Sequence, residues 1–508
     1  MKTVYDWCRE NNKRIFIISD MYLPARVIKD ILSVCGYQGW EKLYVSSDSG
    51  LRKSSGRLFT FAIQDSGILP KRHVHVGDSW KGDYFRALQA GMNAYKIVRH
   101  PVRSKYAKTM GLSHEHKAQY EKYQRVINDY IAPEWDEYYQ YGFEVVGLML
   151  YGLCCWLHER FTENKHDKVF FLARDGYLMQ KAYNLLFGDK SVNNSYLYVS
   201  RNSLLMPRIW MMPTLDNILD FVTTFEYLDL KQLCDILDID PVKACDVWEN
   251  CGLGLNESMP KNQFIYDERV NAFFECFKEE ILMKSREKFS LVINYLKQEG
   301  FCGNVAVVDI GWAGNMQKFL GEFLRQANID AQIYGYYLGL TPKIALSKSE
   351  AEAYIPVKLN PKFFCTSPME YPFTKIAGST KSYVMGKNGT VMPVLSDYEF
   401  AGLEDKMYVE HVQQGTMDFI KLMTEGYGTE HVDYSTAYSR MRKVTKAPSL
   451  RETELLGNTR GVNHGKMKYI AKPDSLLHYV IHPGKFKADF IDSGWKMGFL
   501  KRLIKLPL

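Results

Sequence analysis

The chain has 508 residues, 46% of them apolar and 24% charged, a globular balance too long for one ordinary hydrophobic core, so two or three domains are expected. The formal charge of +7 is a small excess for this length; it suits a surface facing phosphate or anionic lipid. No basic stripe interleaved with aromatics appears, so nucleic-acid reading is not expected. Ten cysteines occur without a CxxC pair or a repeated spacing, which argues against a disulfide framework or a structural zinc site.

The polar stretch from Trp7 to Lys13 directly precedes the first apolar run with no cleavage site after it, so no secretory leader and a cytoplasmic location are expected. The run Arg14-Ile15-Phe16-Ile17-Ile18 is continuous and β-branched, as in a strand buried on both faces, and ends in Ser19-Asp20. A helix is predicted over 25–34, closing at Gly36, then a strand over 42–45 and a polar turn through Asp48 and Gly50. A helix over 55–66, a strand over 73–76 ending in Gly77-Asp78, a helix over 84–89 and a strand over 94–98 complete the segment. Strands alternating with helices imply a parallel sheet that binds ligands at its strand C-ends. At that edge Ser19 can donate to a phosphoryl oxygen, Lys53 can neutralise one, and Asp78 with Asp83 can hold a hard cation such as Mg²⁺.

The order of these residues resembles the second, third and fourth motifs of the haloacid dehalogenase superfamily, carried here by IFIISDMYLP, SDSGLRKSSGRLF and HVHVGDSWKGDYFRA. The first motif of that family, DxDx(T/V), supplies the attacking aspartate, and no such pattern precedes Lys13. A covalent phosphoryl-enzyme route needs that nucleophile. The expectation is therefore a partial phosphatase domain, N-terminally truncated or completed by another segment, with no efficient hydrolysis by this part of the sequence alone.

Residues 99–135, with Pro101 and Pro133, read as a helical linker, and an apolar helix over 142–160 follows, interrupted by Glu144 and too short to span a bilayer. A strand over 168–172 leads into Ala173-Arg174-Asp175-Gly176 and a helix over 177–186. A strand over 195–199 leads into Ser200-Arg201-Asn202-Ser203. Helices over 214–290 have ordinary amphipathic patterns and read as scaffold. The segment NVAVVDIGWAGNMQKFL runs from a strand to Asp309, a glycine-bearing loop and a helix from about Asn315. The free N–H groups of that helix suit a phosphate, and Gly311 and Gly314 permit close backbone approach.

That segment resembles the phosphoribosyltransferase loop, with Asp309 at the first acidic position and Ile310 in place of the second. Together with FLARDGYL and YVSRNSLLMP after a dehalogenase-like domain, the chain resembles the dual-domain bacterial ribofuranosyltransferases of surface polysaccharide biosynthesis. The resemblance implies transfer of 5-phosphoribose from phosphoribosyl diphosphate to a glycan acceptor, itself expected to be lipid-linked, and removal of the 5-phosphate by the phosphatase domain. It places the donor at Arg174, Ser200, Arg201, Asp309, Gly311, Gly314 and Asn315, with Mg²⁺ neutralising pyrophosphate. Catalytic carboxylates are expected among Asp175, Glu370 and Asp309, and Lys375 and Lys381 are expected at an acceptor or phosphate.

The fold expected is α/β: a partial Rossmann-like haloacid dehalogenase domain (1–98), the linker (99–135), a divergent phosphoribosyltransferase-like glycosyltransferase domain with helical additions (136–390) and a C-terminal helical extension (391–508). The last fifteen residues, GWKMGFLKRLIKLPL, carry four basic and no acidic residues, which suits peripheral membrane contact. The alternatives are a dehalogenase-type phosphatase completed by a missing N-terminal piece and a non-catalytic scaffold of a polysaccharide-assembly complex.

Overall fold

The computed structural model describes residues 2–97, 104–222, 227–252, 254, 257–341, 346–347, 349–356, 367–398, 400, 402–463 and 466–505. The chain divides into two compact units, Met1–Pro101 and Val102–Leu508.

In the first unit a helix, Lys2–Glu10, precedes β1 (Phe16–Ser19), the helix Ala25–Val34, β2 (Lys42–Val45), the helix Arg57–Ser66 and β3 (Val74–Gly77). A π-helical turn, Trp80–Phe85, runs into the helix Arg86–Gln89, and β4 (Asn93–Lys96) closes the order. The helix at the start was not expected from its polar composition; Tyr5 anchors it, buried with its ring edge-on to Tyr37 at 5.0 Å. The helix expected at 84–89 begins at Trp80 because the Ser79 hydroxyl caps it, accepting from the Gly82 N–H at 2.9 Å. The strands form two separate parallel pairs, β1 with β2 and β3 with β4. Among the described residues nothing pairs with the second edge of β1 or of β3. β1 is accordingly half-buried along its length, where burial on both faces was expected. The helix Arg57–Ser66 holds the pairs together: Leu58 and Ala62 pack with Tyr44, Phe59 packs with Ala87 and Met92, and Ile18 touches both groups.

The second unit is built on a five-stranded, all-parallel sheet of β5 (Lys168–Leu172), β6 (Asn194–Leu197), β9 (Gly303–Trp312), β10 (Ala331–Leu340) and β11 (Ala351–Ile355). The spatial order is β11-β10-β9-β5-β6. Between β6 and β9, two-residue strands β7 (Tyr227–Leu228) and β8 (Met259–Pro260) pair within a helical insertion. That insertion has its own core of Leu219, Leu233, Leu237, Phe273 and neighbours.

Side chains alternate across the central strands. Val169 and Phe171 of β5 pack on one face with the helices Gly147–Asn164, Gly176–Phe187 and Leu403–Gly426, while Phe170 and Leu172 pack on the other with Glu268–Gln298 and Asn315–Gln326. Both faces are covered, as an all-parallel sheet requires.

The segment expected as a linker joins this core from residue 104 onward: Tyr120, Tyr123, Val126 and Ile127 of the helix Lys117–Tyr130 are buried in it. Residues beyond 391 join it too, because the helix Leu403–Gly426 crosses the helical run Glu137–Asn164 at very short range. A Cβ on Gly142 would stand 2.1 Å from the Val412 carbonyl oxygen, and one on Gly415 would stand 2.1 Å from that of Tyr139. Among the described residues, Glu137–Asn164 is the one helix long and apolar enough to cross a bilayer, and 94% of its apolar window is buried in the protein. A fully buried side chain such as Leu150 contributes about 2–5 kcal/mol against truncation to Ala.

The C-terminal segment docks on this core through its aromatics: Trp495 and Phe499, at the start of the helix Lys496–Ile504, are buried, and the Trp495 indole donates to the Thr445 carbonyl at 2.9 Å. Residues 506–508 of that segment lie outside the described residues.

Candidate functional site

β5 leads through the helix Gly176–Phe187 to β6 on one side, whereas β9 leads through the helix Asn315–Gln326 to β10 on the other. The connections thus diverge between β5 and β9, and the crevice at the C-terminal ends of these two strands is the switch point where an open parallel sheet binds ligands. Asp175 follows β5, and Asp309 lies on β9.

β9 runs past Asp309 to Trp312, in register with β10 as Asp309 opposite Tyr337 and Gly311 opposite Gly339. The glycine-bearing loop expected after Asp309 is therefore mostly strand, and only Ala313 and Gly314 turn the chain. Gly311 serves the sheet: at φ +106, a Cβ there would meet the Gly339 carbonyl oxygen at 2.6 Å. Gly314, at φ +68, is the N-cap of the helix Asn315–Gln326 and gives it no side-chain cap, so first-turn N–H groups remain for a ligand at this end.

Burial pushes the Asp309 carboxyl well above the usual carboxylate range, and the charges of Asp175 and Glu370 add to that, against smaller opposing effects of the Ile310 N–H and Arg201. Asp175 is raised by burial as well, moderated by Arg174 beside it and by the Thr374 hydroxyl, which donates to Oδ1 at 3.1 Å. Both carboxylates keep some solvent access while set deep among protein atoms. Burial disfavours the charged form of both carboxyls, and the charge of Asp175 adds to that at Asp309.

The segment Thr374–Ala377 lies across the end of β5. Lys375 N–H donates to the Arg174 carbonyl at 3.3 Å, and the Arg174 guanidinium donates through Nη1 to the Ala377 carbonyl at 3.3 Å. Lys375 Nζ donates to Tyr198 Oη at 2.7 Å and sits 5.2, 5.1 and 4.9 Å from the ring centroids of Tyr177, Tyr196 and Tyr198. Three π-faces hold the cation where no described carboxylate pairs with it. Glu370 accepts from the Trp312 indole N–H through Oε1.

Ser200 stands apart in role. Its hydroxyl donates to the Thr380 carbonyl at 2.6 Å and accepts from Ser203 N–H as the capping box of the helix Arg201–Arg208, which gives it a structural part at the start of that helix. Lys381 is exposed on the strand Thr380–Met385. The site thus brings together Arg174, Asp175, Asp309, Glu370 and Lys375, with Arg201 acting through its charge. Thr374 and the three tyrosines were not anticipated; the alternation of Tyr196 and Tyr198 along one strand was the available signal. Residues 357–366, ahead of Glu370, lie outside the described residues.

In the first unit, Lys53 Nζ meets Asp83 Oδ1 at 2.6 Å, His75 Nε2 meets the same oxygen at 3.1 Å, and Ser79 N–H donates to Oδ2 at 3.0 Å. Burial alone would raise the Asp83 carboxyl; Lys53, Ser79 and His75 outweigh it and bring it down to about 2. Asp83 is turned onto these partners, while Asp78 is exposed after β3. Asp20, also unanticipated, accepts from the Lys53 N–H at 2.7 Å and the Ser54 N–H at 3.3 Å and fixes the Lys53 turn. Ser19 ends β1, as expected.

The chain is a mixed α/β protein whose main sheet is parallel and five-stranded. No protein-family model and no curated protein matches it.

Proposed function

We propose that the second unit transfers 5-phosphoribose from phosphoribosyl diphosphate to a glycan hydroxyl. The observation that carries this reading is the carboxylate pair Asp175 and Asp309 at the switch point, flanked by Arg174 and Lys375 and faced by Arg201's positive charge. Two carboxylates that oppose each other's ionisation fit a hard divalent cation, and the cationic side chains around them fit a pyrophosphate. Among the described residues no group of three or more His, Cys, Asp or Glu stands ready for a metal. Mg²⁺ commonly takes one or two carboxylates with the remaining oxygens from water and substrate phosphate, so this donor set suits Mg²⁺ bound together with the donor. When bound, the cation would neutralise charge on the leaving pyrophosphate.

In the proposed reaction the bond from ribose C1 to the pyrophosphate oxygen breaks, the acceptor oxygen bonds to C1, and the acceptor's proton passes to a carboxylate. Arg174 and Lys375 bind the departing phosphates, with charge stabilised where it develops. Glu370, oriented by the Trp312 indole, is the carboxylate left to take the proton at the acceptor oxygen. The uncapped helix at Asn315 receives the donor's 5-phosphate.

The test is incubation of the whole chain with phosphoribosyl diphosphate, Mg²⁺ and a lipid-linked or synthetic glycan, with the product weighed. A gain of phosphoribose is expected; the absence of any product together with no donor binding would sink the reading.

A further inference from the structure

The helix Leu476–Ile481 is six residues long and leaves four aliphatic side chains in solvent: Leu476, Leu477, Val480 and Ile481 are 56, 70, 70 and 63% exposed. Their spacing puts them on one face of the helix. Single exposed aliphatics are ordinary, but four on one face require a partner surface. The opposite face is fixed. Tyr479 is buried with its ring 5.5 Å from Phe486 and 6.1 Å from Phe499, its hydroxyl donates to Asp489 Oδ2 at 3.0 Å, and that same hydroxyl accepts from the Asp474 N–H at 2.9 Å. The aliphatic face is therefore held outward and rigid.

The charge around it is one-sided. Between residues 472 and 505 stand seven Lys and Arg against three Asp, more than half of the chain's excess of +7 within a short segment. The helix itself carries no acidic residue, and all three aspartates are paired: Asp489 and Asp474 with Lys485, at 3.0 and 3.5 Å, and Asp492 with Lys468. Lys487 is exposed and forms no ion pair among the described residues. An outward aliphatic ridge with a basic surround complements a bilayer bearing anionic headgroups, where the aliphatics enter the headgroup–acyl boundary and the lysines stay at the phosphates.

We propose that the helix Leu476–Ile481, with the basic start of the helix Pro483–Asp492 beside it, is a membrane-docking face for anionic phospholipid. This inference stands apart from the transfer reaction, since none of these residues is placed in the sheet crevice.

The test is sedimentation of the full chain with vesicles of neutral phospholipid alone and of neutral phospholipid mixed with anionic phospholipid. Binding to the mixed vesicles, weakened by salt and small on neutral vesicles, is expected. Leu477→Ser with Val480→Ser should weaken that binding by about tenfold or more through lost apolar burial, and Lys485→Glu with Lys487→Glu should weaken it further at low salt. Because Leu477 and Val480 are exposed, the Ser pair should leave thermal melting unchanged, which separates lost docking from misfolding. Failure of the native chain to bind mixed vesicles, or binding that survives both double variants, would overturn the proposal. So would a concentration-dependent dimer, or a stable complex with another protein, that the Leu477→Ser/Val480→Ser variant abolishes while the native chain ignores vesicles.

Discussion

Asp309, already pushed up by burial, is raised further by the charge of Asp175 across the gap between β5 and β9. Such a pair is costly in an empty site and favourable once a cation or a shared proton lies between the carboxylates.

Asp309→Asn separates the two sides of that arrangement. Asp309 holds its proton more tightly folded than unfolded, so its contribution to stability is full only below the unfolded value near about 3.9 and is withdrawn as pH rises through the folded value. Folding stability should thus fall with rising pH across that window in the native chain, and the Asn variant should flatten the profile and melt no lower at neutral pH. Mg²⁺-supported donor binding should fall by about tenfold or more, the scale on which such metal-site groups count. Melting against pH and donor titration check the two halves.

Lys375→Met leaves the three tyrosines in place and removes the cation they hold. The expected effect is a rise in donor KM of about tenfold, from one charge-assisted phosphate contact of about 1.5 kcal/mol, with little change in kcat. Steady-state kinetics at varied donor concentration check it.

Arg440 and Glu144 form an ion pair with both side chains fully buried, at 2.9 Å. Glu144 also accepts from the Ser104 hydroxyl, from Lys105 N–H at 3.2 Å and from Gln140 Nε2 at 2.5 Å, while Arg440 donates to Gln124 Oε1 at 2.6 Å. Arg440→Met strands a buried carboxylate and should cost about 3–5 kcal/mol. Arg440→Met with Glu144→Gln should recover much of that loss, and denaturant unfolding of both variants checks it.

In the first unit, a Cβ on Gly77 would stand 2.4 Å from Asp83 Cγ. Gly77→Ala should displace Asp83 from Lys53 and destabilise this unit by about 1–3 kcal/mol, the cost of forcing atoms into a packed site. The Asp83 carboxyl, held at about 2 against about 3.9 unfolded, contributes about 2 kcal/mol above pH 4 and loses it as pH falls through about 2. Asp83→Asn should remove that contribution at pH 7, as local hydrogen exchange in this unit would record.

Much of the framework was legible because the signals are local. The helix Ala25–Val34 and the strands Lys42–Val45 and Lys168–Leu172 fall where apolar runs and turn residues put them. Asp309 stood out as a charge at the end of an apolar run. The extent of β9 did not, because Gly311 reads as a strand breaker until its φ of +106 and the approach of Gly339 are known. The lysine cage was equally hidden: Lys375 and Tyr198 are 177 residues apart, and nothing local specifies that Thr374–Ala377 closes over β5. The docking of the C-terminal helix was hidden as well, because composition reports basic and apolar residues without saying that Trp495 and Phe499 face inward.

The most direct measurement of the central claim is equilibrium binding of phosphoribosyl diphosphate to the whole chain, with and without Mg²⁺, compared between the native protein and Asp309→Asn. Binding that requires Mg²⁺ and weakens at least about tenfold in the variant is predicted. Absence of binding to the native chain, or equal binding to the folded variant, would contradict a donor site built on Asp175 and Asp309.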